Sequence, residues 1–387
     1  MILWSVTGSN GKASKPQVYL WNIMISKSIQ KRWWVVSILV LLTVVLIAAS
    51  FRSSFIEDQY SLGVYPYISF AFRLVTGWLP ISVGDTMYLA FGCYLVYIVI
   101  RAFIAIFKRK VSKKLIYKWL FLMLCFCLGT YVLFNLFWGL NYDRKGLISQ
   151  FKLDTARYSN DDLLQLQTVV IQSLNNNKRE LINSRKNYPS NKELFKRATN
   201  CFAFAAIKKD FLTYKMPSVK PSVYSWWCSY AGVSGYYNPF SGEAQVNVDM
   251  PKFILPFTTC HEIAHQLGYA SENEANFAGF LSATSSKDPL FNYSAYLEIF
   301  LYANREMYFT DSLLAKNQFD LLDREVKVDV KEYRDFFLRH SNIAEPIITW
   351  IYGKYLKANQ QPKGLKTYNE VLSYLIAYQK QYGRLTL

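Results

Sequence analysis

The sequence predicts a mainly α-helical protein with a small β-sheet, an α+β arrangement in which three membrane-spanning helices precede an exported domain. Three observations carry this expectation. Long apolar runs crowd the first 140 residues, an amphipathic texture with helical spacing follows, and one stretch rich in Gly, Ser, Pro and aromatics interrupts that texture between Pro217 and Asn247.

The apolar runs come first in the chain. Trp33–Phe51 carries no charge, Met87–Phe107 carries only Arg101, and Leu115–Leu140 only Lys118, whose stem can reach back to the headgroups. A cleaved leader is the alternative for the first run, because Ala48, Ala49 and Ser50 are small. Against it, the run is longer than a leader's apolar region and starts well inside the chain. Met24 lies closer to this run than Met1, which leaves the start open. Between the first two runs, Ile56–Val83 is aromatic-rich with helical spacing over Ile68–Val75; too short to span, it is expected to lie in the membrane interface.

The formal charge of +17 is unevenly placed. Residues 1–140 hold 14 Lys and Arg against 3 Asp and Glu, leaving 30 against 24 for the remainder. The surplus flanks the apolar runs, so no nucleic-acid partner is expected; the expected partners are membrane lipid and a peptide or protein substrate. Lys12, Lys15, Lys27, Lys31 and Arg32 precede the first run, and Lys108, Arg109, Lys110, Lys113, Lys114 and Lys118 lie between or at the start of the second and third. The positive-inside rule then puts segment 1–32 in the cytoplasm, a membrane domain at 33–140, and residues 141–387 outside. Of six cysteines, Cys93, Cys125 and Cys127 fall in the runs. Cys201, Cys228 and Cys260 fall in the exported part, where a Cys201–Cys228 bridge with Cys260 free is the simplest pairing.

In the exported part, Asp161–Asn175 and Asn191–Phe211 read as helices, capped by Ser159 or Asn160 and by Asn191. Glu243–Val248 alternates polar and apolar residues and reads as an edge strand, with Gln245 and Asn247 placed to meet an extended peptide. Pro251 and Pro256 then prepare a helix that Gly268 ends. Tyr293–Tyr308, Leu313–Leu322, Val330–Arg339 and Thr367–Tyr382 complete the helical texture.

That central helix carries the chemistry. The chain has three histidines, and two stand in His261-Glu262-Ile263-Ala264-His265, the HExxH pattern. Helical i, i+4 spacing puts both imidazoles on one face, able to share one zinc ion per chain, with Glu262 beside a water on that ion. A catalytic zinc needs a third protein ligand. His340 is one possibility, as a helix-end residue; a carboxylate in Ser271-Glu272-Asn273-Glu274-Ala275-Asn276 is the better one. Ser271 with Glu274 fits a capping box, which gives Glu274 a structural reason to exist. Glu272 is therefore preferred as ligand, with Glu274 as the alternative and Asn276, one turn on, placed to orient a histidine ring.

The pattern Glu272-x-x-Ala275-Asn276 after HExxH resembles the ligand helix of gluzincin metallopeptidases. More specifically, three spans, then SGYYNPFSGEAQVN, CHEIAHQLGYASENEANF and YLKANQQPKGLKTY, resemble a bacterial membrane family, domain of unknown function 3810. The resemblance covers most of the chain after Trp33. It implies a zincin-like metallopeptidase domain on the periplasmic or outer side of a bacterial cytoplasmic membrane, and supplies no substrate. Two departures stand out: His265 and Glu272 are much closer in sequence than in thermolysin-like enzymes, and Asn276 stands where many gluzincins have Asp. Gly268 also gives HExxHxxG as in metzincins, but their third ligand would fall on Ser271, a poor zinc ligand.

The expected reaction is peptide-bond hydrolysis by a zinc-activated water, with Glu262 as general base. Tyr352, Tyr355 and His340 are candidate donors to the oxyanion. Two other readings compete: a catalytically silent, zinc-stabilised binding module or membrane scaffold, and an amidase acting on cell-wall peptide. A structural zinc site has no need of Glu262, which weighs against the scaffold.

Overall fold

The computed structural model describes residues 15–108, 112–155, 158–359, 361 and 370–387. Lys12, Arg109, Lys110, most of the tail segment quoted above and the expected helix start at Thr367 lie outside them. The first part comprises α1 (Lys15–Ser50), one-turn α2 (Ser53–Phe55), a π-helical stretch Ile56–Val64, α3 (Tyr65–Thr76), α4 (Val83–Phe107) and α5 (Lys113–Phe137). Three segments, Trp33–Ser50, Val83–Phe107 and Leu115–Phe137, are long and apolar enough to cross a membrane, and the protein is membrane-associated on that ground.

Then follow α6 (Gly146–Phe151), α7 (Asn160–Ser184), α8 (Asn191–Lys208), β1 (Val219–Pro221), α9 (Ser225–Ala231), β2 (Gly235–Asn238), β3 (Glu243–Val246), α10 (Leu255–Gln266), α11 (Glu272–Ser285), α12 (Pro289–Thr310), α13 (Ser312–Asp320), α14 (Arg324–His340), α15 (Glu345–Ala358) and α16 (Val371–Tyr382). The result is mainly helical with one three-stranded sheet, as the composition led us to expect. The chain forms two units. In the smaller, made of α1 up to Ala48 and α5 up to Leu133, Trp33 and Phe121 meet edge to face at 6.1 Å. The larger holds Ala49–Arg109 and Phe134–Leu387.

The larger unit is built around α10 and α11, whose side chains are almost all buried. Neither helix is amphipathic, because each is enclosed on every side. Around them pack α8, α12 and α16, with α7 against α12, contributing Leu166, Val170, Phe202, Phe300 and Leu375 to one continuous apolar core. Ser159 caps α7 in a reciprocal box with Asp162, and the helix runs on to Ser184, beyond the predicted end. On α8 the cap is Ser190, whose hydroxyl accepts from Glu193 N, rather than Asn191. Gly268, at φ +86°, ends α10 as expected; any Cβ there would also stand 2.8 Å from the Tyr65 ring.

Two sequence expectations change. Glu243–Val246 is the central strand, paired in parallel with β1 and antiparallel with β2, so it offers no free edge. Gln245 reaches Ser82, and the Asn247 amide donates to Ser229 Oγ and the Val233 carbonyl; both side chains are buried structural links. The alternation that suggested an edge arises because the strand's polar groups are satisfied inside the protein. Cys201, Cys228 and Cys260 are all buried thiols, and the predicted Cys201–Cys228 bridge is absent. Cys201 instead packs with Ser286 and in contact with Cys260.

Within Ile56–Val83, the segment expected at the membrane interface, the buried side is the polar one. Helix α3 buries its polar face, Tyr65, Ser69, Arg73 and Thr76, and leaves Tyr67, Leu74 and Val75 exposed. Tyr65, Ser69 and Arg73 all donate to one acceptor, the Gln266 carbonyl at the end of α10, at 2.9, 2.9 and 3.1 Å. A cation and two hydroxyls thus satisfy the negative end of the motif helix. The segment lies against the folded unit, with its apolar side outward.

Candidate metal and catalytic site

Three ligand atoms converge at the junction of α10 and α11. His261 Nε2 and His265 Nε2 are 3.1 Å apart, and Glu272 Oε2 lies 3.3 Å from the first and 3.8 Å from the second. The helical turn supplies the two rings on one face of α10. The tight turn through Gly268 brings the start of α11, and Glu272 with it, back over that face. His265 Nδ1 is 2.8 Å from the Tyr269 carbonyl, which can only accept; Nδ1 therefore carries a proton and Nε2 points at the cluster. The Trp138 indole bonds the His265 carbonyl at 3.1 Å and packs its ring against the imidazole.

These residues fit a zinc ion. Ligands about 2.0–2.1 Å from a tetrahedral ion stand about 3.3 Å from one another, close to the three separations found here. The donor set of two imidazoles and a carboxylate suits zinc as well. Burial by itself would lower the His261 pKa, but the Glu272 and Glu262 carboxylates, with Asn276, outweigh it and raise it to about 9. Burial pushes Glu272 up, yet the two histidines dominate and hold it well below the usual carboxylate range. So compact a charge group, buried in the protein, is strongly organised for a cation or protons.

Glu262 lies beside the cluster, 3% exposed, with Oε2 unpartnered. Burial raises its pKa to about 7 against the pull of His261 and His265. Over it passes the backbone of β2. A Cβ at Gly235 would stand 2.5 Å from Glu262 Oε1, so only glycine lets the strand come this close. The edge strand over the motif is β2, not the predicted Glu243–Val248. The Gly in SGYYNP was its signal in the sequence: an isolated glycine in a strand marks a close backbone approach.

The structure separates the other candidates. Tyr352 donates to Glu272 Oε1 at 2.8 Å and so positions that carboxylate. Tyr355 stacks on Tyr352 and pairs its hydroxyl with Tyr142 at 3.3 Å. His340 is not at the cluster, nor is its ring in solvent: it packs on Tyr230 and Phe336, with Nδ1 2.8 Å from the Phe336 carbonyl. Glu274 is structural, although not through the expected box. Ser271 makes no side-chain cap bond, and Glu274 accepts from Leu147 N at 2.6 Å, capping α6. Asn276 lies against His261, as its position one turn after Glu272 suggested. Sequence reasoning missed Tyr142, Glu298 and Tyr302, which act electrostatically on the cluster and come from segments with no motif.

Residues 60–376 match the model of a protein family of unknown function, DUF3810. The chain belongs to this family. The matched stretch of this DUF3810 protein includes α3, the sheet, both cluster helices and α15, the elements that assemble the site. No curated protein and no solved structure matches the chain.

Proposed function

We propose that this protein is a membrane-anchored, zinc-dependent peptidase whose residues 141–387 face the periplasm or cell exterior. The observation that carries the reading is the convergence of His261 Nε2, His265 Nε2 and Glu272 Oε2 with an unpartnered Glu262 carboxylate beside them. His261, His265 and Glu272 would hold the ion. Zinc, when bound, supplies Lewis acidity for a water and for the scissile carbonyl. Glu262 accepts a proton from the attacking water and returns it to the leaving amine. The outer edge of β2, which has no strand partner among the described residues, offers backbone groups to an extended peptide passing the cluster. The lysines and arginines flanking the spans support the outward orientation.

The test is zinc content and cleavage of a mixed peptide library by wild type, Glu262→Gln and Glu272→Ala. The reading expects about one zinc per chain in wild type, loss of zinc in Glu272→Ala, and full zinc with no cleavage in Glu262→Gln. Zinc in a wild type that cleaves nothing would move the assignment to a zinc-stabilised scaffold. A wild type that binds no zinc removes it.

A further inference from the structure

The described surface holds an apolar face that the core does not explain. On α15, Ile348, Tyr352 and Leu356 point inward, while Ile347, Trp350 and Ile351 form an outward ridge, exposed by 61, 65 and 56%. Next to α15 stands α9, joined to it through Asn342, whose amide donates to the Tyr230 carbonyl at 2.7 Å. Here Val223, Trp226 and Trp227 are exposed by 68, 54 and 67%. Such a cluster of large apolar side chains marks a contact surface.

What covers it follows from where it is fastened. The first turn of α4, a membrane-spanning candidate, is tied to this part of the protein by buried polar groups. Asp85 accepts from Val223 N at 2.8 Å and from Tyr236 Oη at 2.7 Å, and its carbonyl accepts from Tyr224 Oη at 2.8 Å. Glu243 accepts from Val83 N and Gly84 N, closing the N-terminus of the same helix. Tyr142, just after the end of α5, bonds Tyr355 on α15. The apolar ridge is therefore fastened to the N-terminal end of α4, the end at which this membrane-spanning candidate begins, and to Tyr142. Its make-up agrees: tryptophans with Lys354 and Lys357 on α15, one lysine lying over the Trp350 ring, are the residues of a headgroup-level helix.

We infer that Val223, Trp226 and Trp227 with Ile347, Trp350 and Ile351 form a lipid-facing surface that lies in the headgroup region of the bilayer crossed by α4. Helix α15 then touches lipid on one side and Glu272, through Tyr352, on the other. The inference concerns the surface and does not depend on metal or turnover.

The test uses the full chain in vesicles of phosphatidylethanolamine and phosphatidylglycerol, with p-benzoylphenylalanine placed singly at Trp227, Ile347 or Trp350. Controls carry it at Ile207 on α8 and Leu313 on α13, which are 80 and 66% exposed. On illumination, mass spectrometry should show phospholipid adducts at the three ridge positions and none above the dark background at the two controls. Ridge positions that give no adducts, or that crosslink to a second copy of the chain instead, overturn the inference. Because all five positions are exposed, substitution leaves the core intact. Circular dichroism of each variant checks this.

Discussion

Replacing Tyr352 with Phe removes one hydroxyl and tests whether the cluster is a metal site held in place from α15. That hydroxyl donates to Glu272 Oε1 at 2.8 Å, and Glu272 is 7% exposed, so water cannot substitute freely. A hydrogen bond to a buried charged group contributes about 1.5–3 kcal/mol. At about 1.4 kcal/mol per decade, Tyr352→Phe should weaken zinc affinity roughly 10- to 100-fold. Tyr355→Phe is the matched control: its hydroxyl meets Tyr142, not Glu272, and the same ring stack remains. Zinc dissociation constants from chelator competition at constant pH read the difference. Equal affinities for wild type and Tyr352→Phe, or equal losses in both variants, would refute the assignment of Tyr352 to Glu272.

Three further outcomes are expected. Gly235→Ala puts a methyl 2.5 Å from Glu262 Oε1 and must displace the carboxylate, so turnover should fall about 100-fold with zinc content unchanged; loss of zinc instead would mean the clash spreads to the ligands. In the metal-free protein, His261 has its pKa raised from 6.5 to about 9, so its contribution to stability is full below 6.5 and disappears as pH rises through 9. Zinc must displace that proton, and affinity should therefore rise about tenfold per pH unit between 7 and 9; a flat profile in calorimetric titration would contradict the shift. Glu57→Gln leaves Arg144, whose side chain is 2% exposed, without its bidentate partner at 2.9 Å. Thermal and denaturant unfolding should show a loss of about 3–5 kcal/mol, with the double variant Glu57→Gln/Arg144→Gln losing less than the sum of the singles.

Much of this protein is local and therefore legible in its sequence. Apolar runs of spanning length needed no tertiary partner to be recognised, since a bilayer imposes length and composition on each helix separately. The pairing of His261 with His265 follows from 3.6 residues per turn. Glu272 was separable from Glu274 because helix-start chemistry already gave Glu274 another duty, even though its actual bond goes to Leu147 on α6 rather than to the Ser271 cap.

Other features belong to the tertiary structure alone. Whether Glu243–Val246 lies at an edge or between two partners depends on β1 and β2, which arrive from either side with only 3 and 4 residues each and little signal of their own. Tyr352 could be named from its sequence neighbourhood, but only packing turns it onto Glu272. The same holds for α3, whose buried polar face reverses the usual reading of an amphipathic helix: its partner is the carbonyl end of α10, about two hundred residues away. The sequence by itself determined the spans, the shared helical face of His261 and His265 and the preference for Glu272 as their companion, because periodicity and helix-end preferences act over a few residues. Only the tertiary structure decided which strand covers Glu262 and which hydroxyl holds Glu272, because these contacts join distant segments and leave no periodic trace in either one.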